Sequence, residues 1–104
     1  MATISASFDG YQIWYYSGFS MEALIHVYKG AEFVGEILFY KDGSVIPPNA
    51  STPEPSIHYP LSRFNDVINI LREEKPLYLF LNVNKMIGSL ATAEIEPAGE
   101  EEGK

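Results

Sequence analysis

The sequence predicts an α+β fold: a strongly bent antiparallel β-meander sheet of five to seven strands with one helix packed on its concave side. Short runs of β-branched and aromatic residues are separated by turn signals such as Asp9-Gly10 and Asp42-Gly43. This pattern favours strands that pair in chain order. A single segment, from about Leu61 to Glu74, has its apolar residues at helical spacing. The 104 residues are enough for one small domain.

The first half of the chain predicts four consecutive strands. They cover residues 4–8, 11–16, 22–29 and 32–40. Asp9-Gly10 predicts a two-residue hairpin between the first two, because both central residues of a type I′ turn need positive φ. Gly30 predicts the turn between the third and the fourth. Asp42-Gly43 predicts a tight turn before a short strand or arm over 44–46. Residues 47–56 contain four prolines, which exclude a helix and a central strand and predict an extended, largely exposed loop.

The second half predicts the helix and a final hairpin. The apolar stripe of the helix consists of Leu61, Phe64, Val67, Ile68 and Leu71. Pro76 ends the helix because proline lacks the backbone donor that a helix needs. Alternating leucines from 77 to 83 predict a strand, and Asn84-Lys85 turns it into a last strand over 86–93. The predicted order is therefore β-β-β-β-(β)-α-β-β.

The acidic charge is concentrated at the C-terminal end. Fourteen acids and seven bases give a net charge of −7, and residues 94–104 hold five of those acids and one base, a net −4. Glycine and proline interrupt this acidic stretch, which is typical of a flexible segment. We therefore expect a single domain over residues 1–93 and a flexible acidic tail over 94–104.

The chain carries no recognisable catalytic motif. It has no cysteine, so thiolate chemistry, thiolate metal sites and disulfides are excluded. His26 and His58 each lack a second ligand at metal-binding spacing, and neither a nucleophile elbow nor a phosphate-binding loop is present. We expect no catalytic, cofactor-binding or metal-binding residues. Residues 1–7 lack the basic and apolar parts of a secretory signal, and no run is long enough to span a bilayer, so a cytoplasmic protein without a membrane segment is expected.

Several predicted strands are apolar on both faces, which a half-exposed sheet is not. A single helix covers part of one face, so the other must curl on itself, meet a second subunit or bind a ligand. The expected interaction face consists of Trp14, Tyr16, Tyr28, Phe39, Tyr40, Tyr78 and Phe80. The predicted function is a non-enzymatic interaction domain that self-associates, with a dimer favoured; small-ligand binding between helix and sheet is one alternative.

The other alternative is single-stranded nucleic-acid binding. Four meander strands followed by a helix are similar in topology to the PC4/Whirly class of single-stranded DNA-binding folds. The cations available for phosphates are Lys29, Lys41, Arg63, Arg72, Lys75 and Lys85. The acidic net charge disfavours this function, because phosphate neutralisation supplies most non-specific affinity.

Three segments carry a resemblance to a known family: residues 59–68, residues 72–79 and the Glu-Pro-Ala-Gly-Glu-Glu stretch over 96–101. Together they resemble a family of small, uncharacterised, mainly cyanobacterial proteins. The resemblance covers about half of the chain. It implies a stand-alone domain and supplies no catalytic residues.

Overall fold

The computed structural model describes residues 3–18, 21–51, 54–73 and 77–92. The strands are β1 (Thr3–Phe8), β2 (Gly10–Tyr15), β3 (Met21–Lys29), β4 (Glu32–Tyr40), β5 (Ala50–Ser51), β6 (Pro55–Pro60), β7 (Leu77–Asn82) and β8 (Ile87–Thr92). A 3-10 turn (Leu61–Arg63) leads into the helix α1 (Phe64–Glu73). The α+β class is confirmed, and the predicted acidic tail lies outside the described residues.

The strands form two sheets instead of one bent sheet. A three-stranded sheet has the order β1-β7-β8, and a five-stranded sheet has the order β2-β3-β4-β6-β5. All pairs are antiparallel except β4 and β6, which are parallel. The alternation of apolar residues predicts where each strand lies, but it does not identify the strand that pairs with it. Two different pairing partners can leave the same side chains on the buried face.

The core lies between one face of the five-stranded sheet, the three-stranded sheet and the helix. Its buried residues are Phe8, Ala23, Ile25, Val27, Ile37, Phe39, Ile57, Val67, Leu71, Leu77, Leu79 and Leu81. The helix contributes Val67 and Leu71, which belong to the predicted stripe. Phe64 at the start of the helix contacts Phe39 of β4, with ring centroids 5.0 Å apart.

The predicted hairpin at Asp9-Gly10 is wrong, since β1 and β2 belong to different sheets. The backbone N–H of Asp9 donates to the carbonyl of Tyr28 (2.9 Å), and its Oδ1 accepts from the N–H of Gly30 (3.1 Å). Both bonds hold the chain against the β3–β4 turn, whose Gly30 has the expected positive φ of 62°. The chain therefore leaves β1 and enters the other sheet, while β1 pairs with β7.

The predicted absence of a central strand from the proline-rich segment is wrong, because an inner strand begins within it. β6 begins at Pro55, ends at Pro60, and lies between β4 and β5. Proline is tolerated here because both rings stand at the ends of the strand, where fewer ladder donors are needed. The two ends leave Ile57 in the middle, where its side chain is almost fully buried.

Candidate functional site

The five-stranded sheet has an outer face, on the side opposite the core. By strand alternation and register it carries Gln12, Trp14, Leu24, His26, Tyr28, Phe33, Glu36, Leu38, Tyr40, Ser56 and His58. Most of these side chains are half-buried, because they pack against one another across the strands. The three-stranded sheet and the helix pack on the other side, against the core face of this sheet.

Aromatic rings of three strands surround His26 on the outer face. Its ring centroid lies 4.7 Å from that of Trp14, 4.8 Å from that of Phe33 and 6.4 Å from that of Tyr28. All three contacts are edge-to-face, which is a favourable arrangement for aromatic quadrupoles. Diagonal cross-strand positions produce the cluster, since Trp14 is two residues from Gln12, the residue opposite His26, and Phe33 lies opposite Tyr28. The cluster therefore lies close to the β2 side of the sheet.

A row of polar side chains crosses the same face from β3 to β6. His26 Nε2 lies 3.5 Å from Glu36 Oε1, and the Ser56 hydroxyl donates to Glu36 Oε2 at 3.0 Å. Ser56 Oγ also lies 3.4 Å from His58 Nε2. Sequence reasoning missed this row because the parallel β4–β6 register, which places Ser56 beside Glu36, has no local signal in the chain.

The row contains a serine, a histidine and a carboxylate, but their order differs from that of a nucleophilic triad. In a triad the carboxylate orients the histidine, and the histidine accepts the serine proton. Here the carboxylate of Glu36 accepts from Ser56 directly, and Ser56 is buried. This geometry favours a hydrogen-bonded connection between strands over an activated nucleophile.

His58 combines partial burial with an unsatisfied nitrogen. Its Nδ1 is buried without a hydrogen-bond partner, while its backbone N–H donates to Asn49 Oδ1 at 2.7 Å. Burial lowers the pKa of His58 below its ordinary value, and the Pro48 carbonyl and the Glu36 carboxylate oppose this only in part. The folded protein therefore favours the neutral imidazole.

This pKa shift predicts a loss of stability on acidification. Because the pKa of His58 is lower in the folded state, the unfolded chain binds the proton first as the pH falls below about 6.5. The contribution is fully present above that pH and is lost below it. We expect urea midpoints of a His58→Gln variant to fall less than those of the wild type between about pH 8 and about pH 5.5. Equal falls in both proteins would contradict the assignment.

The seven residues of the predicted interaction face do not form one surface. Trp14, Tyr28 and Tyr40 lie on the outer face, and Tyr16 follows β2 directly. The placement of Phe39 there is wrong, because this side chain is fully buried in the core. Tyr78 and Phe80 belong to the three-stranded sheet, where their rings stack on each other with centroids 5.5 Å apart.

The predicted cations are separated by the fold. Lys29 ends β3, where its Nζ donates to Ser7 Oγ at 3.2 Å, whereas Lys41 follows β4 at the other end of the same hairpin. Arg63 and Arg72 lie at opposite ends of the helical segment. Lys85 lies in the β7–β8 turn, and Lys75 lies outside the described residues. The described cations therefore do not line a single groove.

The β2 edge of the described five-stranded sheet carries apolar residues that the predicted face omitted. Tyr11, Ile13 and Tyr15 alternate along β2 and are 37%, 40% and 68% exposed. They point to the side of the helix, and Tyr15 stacks on Phe64 with centroids 5.3 Å apart. The signal was present in the sequence, since an apolar strand without charge or proline is typical of a covered position.

A cleft of about 370 Å³ lies where the end of the helix meets this edge. Tyr11, Leu71 and Arg72 are among its lining residues. The cleft lies between the helix and the sheet, where the small-ligand alternative expects a binding pocket. The carboxylates of Asp9 and Glu73 also line it, so its charge is mixed.

No family model, no curated protein and no solved structure matches the chain. The resemblance to small cyanobacterial proteins and the topological similarity to PC4/Whirly folds therefore stay predictions. Among the described residues, no helix is long and apolar enough to cross a membrane. Within the same residues, no group of three or more His, Asp or Glu side chains is placed to hold a metal ion.

Proposed function

We propose that this chain is a small cytoplasmic interaction domain that works by self-association, as a homodimer, and not by catalysis. The observation that supports this function is the exposed apolar row on the edge strand, Tyr11, Ile13 and Tyr15. Burying a large apolar side chain is worth about 1.5–3 kcal/mol. Covering even part of this row in both subunits would contribute several kcal/mol to association.

A second copy of the chain suits this surface because the edge strand is uncharged. The chain as a whole has a net charge of −7, so most contacts between two copies would bring carboxylates together. The residues of β2 are glycine, tyrosine, glutamine, isoleucine, tryptophan and tyrosine, and none of them is ionised at neutral pH. Two acidic copies can therefore meet at this strand without direct repulsion at the contact.

Nucleic-acid binding of the PC4/Whirly type is the less favoured function. A single-stranded reader needs cations along the groove that holds the stacked bases. On the outer face the described residues place the Glu36 carboxylate 3.5 Å from His26 of the aromatic cluster, and the predicted cations among them lie at strand ends, in a turn and on the helical segment. Binding to oligo-dT at low salt that weakens steeply with added salt would support this alternative.

Light scattering over a range of protein concentrations tests the self-association. We expect a mass approaching twice 11.6 kDa that persists at high salt, because burial of apolar surface is not screened by ions. Tyr15→Ser is expected to weaken association about ten- to a hundredfold, since each dimer loses two exposed rings.

Val45→Ser is the matched control, because Val45 is 93% exposed and lies in the loop after β4, away from the edge strand. It should associate as the wild type does. A wild-type protein that stays monomeric at every concentration, or a Val45→Ser variant as weak as Tyr15→Ser, would contradict the proposed function.

A further inference from the structure

Among the described strands, β2 has a partner on one side only, and its other side determines how two copies can meet. β2 is the first strand of the order β2-β3-β4-β6-β5, so one of its sides faces no other described strand. Natural edge strands are usually protected from pairing by charged residues, proline, bulges or short length. β2 has six residues, no charge and no proline, and its pairing with β3 has no bulge. The opposite edge, β5, has two residues.

One hydrogen bond determines which groups of β2 point outward. The N–H of Tyr16 donates to the carbonyl of Glu22 at 2.8 Å, in continuation of the β2–β3 register. Opposed residues in an antiparallel pair alternate between bonded and non-bonded positions. Trp14 and Gln12 therefore also bond to β3. The N–H and C=O groups of the odd residues, 11, 13 and 15, point away from the sheet.

We propose that two copies of the chain pair through β2 in antiparallel register about Ile13, so that their five-stranded sheets become one continuous ten-stranded sheet. This inference rests on the proposed self-association and specifies its geometry. A two-fold axis perpendicular to the sheet places Ile13 opposite Ile13 of the other copy and Tyr11 opposite Tyr15. All three outward N–H groups of each strand then donate across the axis, which gives six hydrogen bonds.

The side chains match this register as well as the backbone does. A two-fold contact must be self-complementary, because each residue meets the same set of residues in the other copy. Tyr11, Ile13 and Tyr15 of one strand lie opposite Tyr15, Ile13 and Tyr11 of the other, on the side of the helices. On the outer face Trp14 lies opposite Gln12, so the aromatic clusters of the two copies approach each other. Pairing about Gln12 would use four of the six bonds and would leave Tyr15 unpaired.

A single engineered cysteine tests the register, because the chain has no cysteine of its own. Residues directly opposite each other in a hydrogen-bonded pair have Cα atoms about 5.5 Å apart, within the range of about 4.4–6.8 Å that a disulfide spans. Ile13→Cys should therefore give a covalent dimer under mild oxidation. Tyr11→Cys is the control, since the two copies of residue 11 would stand about 13 Å apart along the strand.

A proline variant tests the backbone bonds separately. Ile13→Pro removes an outward N–H that the single subunit does not use, and proline is tolerated on edge strands whose N–H faces solvent. We expect a folded chain by circular dichroism that is monomeric by light scattering. If the wild type is a dimer but Ile13→Pro still dimerises, or if Tyr11→Cys cross-links as well as Ile13→Cys, the edge pairing is wrong while self-association stands.

Hydrogen exchange distinguishes the remaining outcomes. In the paired dimer the amides of residues 11, 13 and 15 should be protected, and dilution to the monomer should remove that protection. A monomeric wild type with those amides exposed overturns both the edge pairing and the self-association. A monomeric wild type with those amides protected overturns both proposals as well, because another segment of the same chain would then cover the edge.

Discussion

Replacing Phe39 by alanine is expected to lower the free energy of unfolding by about 3–5 kcal/mol, the usual cost of truncating a buried aromatic ring. The side chain is fully buried. Its ring stacks on that of Tyr59 at 6.0 Å and meets that of Phe64 edge-to-face at 5.0 Å. Truncation therefore leaves a cavity between β4, β6 and the helix. Urea denaturation of wild type and variant measures the loss.

Tyr78→Ala is the control for this prediction. Tyr78 is half-buried on the three-stranded sheet, where its ring stacks on that of Phe80. Its truncation should cost about 1 kcal/mol, the value of an aromatic pair with little burial. Phe39→Ala could instead leave stability nearly unchanged and impair self-association. That result would show that Phe39 is a surface residue, as the sequence alone predicts.

Phe39 also shows why the predicted interaction face combined a buried residue with surface residues. Along β4 both alternating sets are apolar, since Ile37 and Phe39 form one and Leu38 and Tyr40 the other. Alternation predicts that the two sets face opposite ways, but it does not determine which one is buried. Only the second sheet and the helix decide this, and their position depends on contacts that are distant along the chain.

The helix was predictable because its information is local. Apolar spacing gave the buried positions Val67 and Leu71, and Pro76 marked the region where the helix ends. The β3–β4 and β7–β8 hairpins were predictable for the same reason, since the paired strands are neighbours in sequence. The partner of β1 was not predictable. It pairs with β7, and Thr3 lies opposite Asn82, almost the whole domain away along the chain.

The polar row and the edge strand also differ in how far the sequence alone could predict them. Sequence alone could show that β2 is apolar and uncharged, and its exposed edge follows once β1 is known to pair elsewhere. The contact between Glu36 and Ser56 requires the parallel register of β4 and β6, which no spacing in the chain encodes. The helix and the local hairpins can thus be predicted from the sequence, whereas the candidate surface depends on long-range strand pairing.

Gly88→Ala is expected to destabilise the protein by about 1–3 kcal/mol, the usual cost of adding a methyl group to a packed interior. A Cβ at Gly88 would overlap Ile57 Cδ1 of the other sheet and would stand 3.3 Å from Asn49 Nδ2. Neither neighbour can move freely. Ile57 is almost fully buried, and the Asn49 amide donates to the Met86 carbonyl at 3.0 Å. Gly10→Ala is the matched control, because a Cβ there meets nothing within 4 Å.

A second substitution is expected to relieve the clash at Gly88. The atom that a Cβ at Gly88 would overlap most is Ile57 Cδ1, which Ile57→Val removes. Alone, Ile57→Val should cost about 0.5–1.5 kcal/mol. Combined with Gly88→Ala, it opens the space that the new methyl group needs, so the double variant should be more stable than the sum of the single effects by about 1 kcal/mol. Urea denaturation of all four proteins closes the cycle. Strict additivity would mean that β8 and β6 do not touch here, and that the two sheets are held together elsewhere.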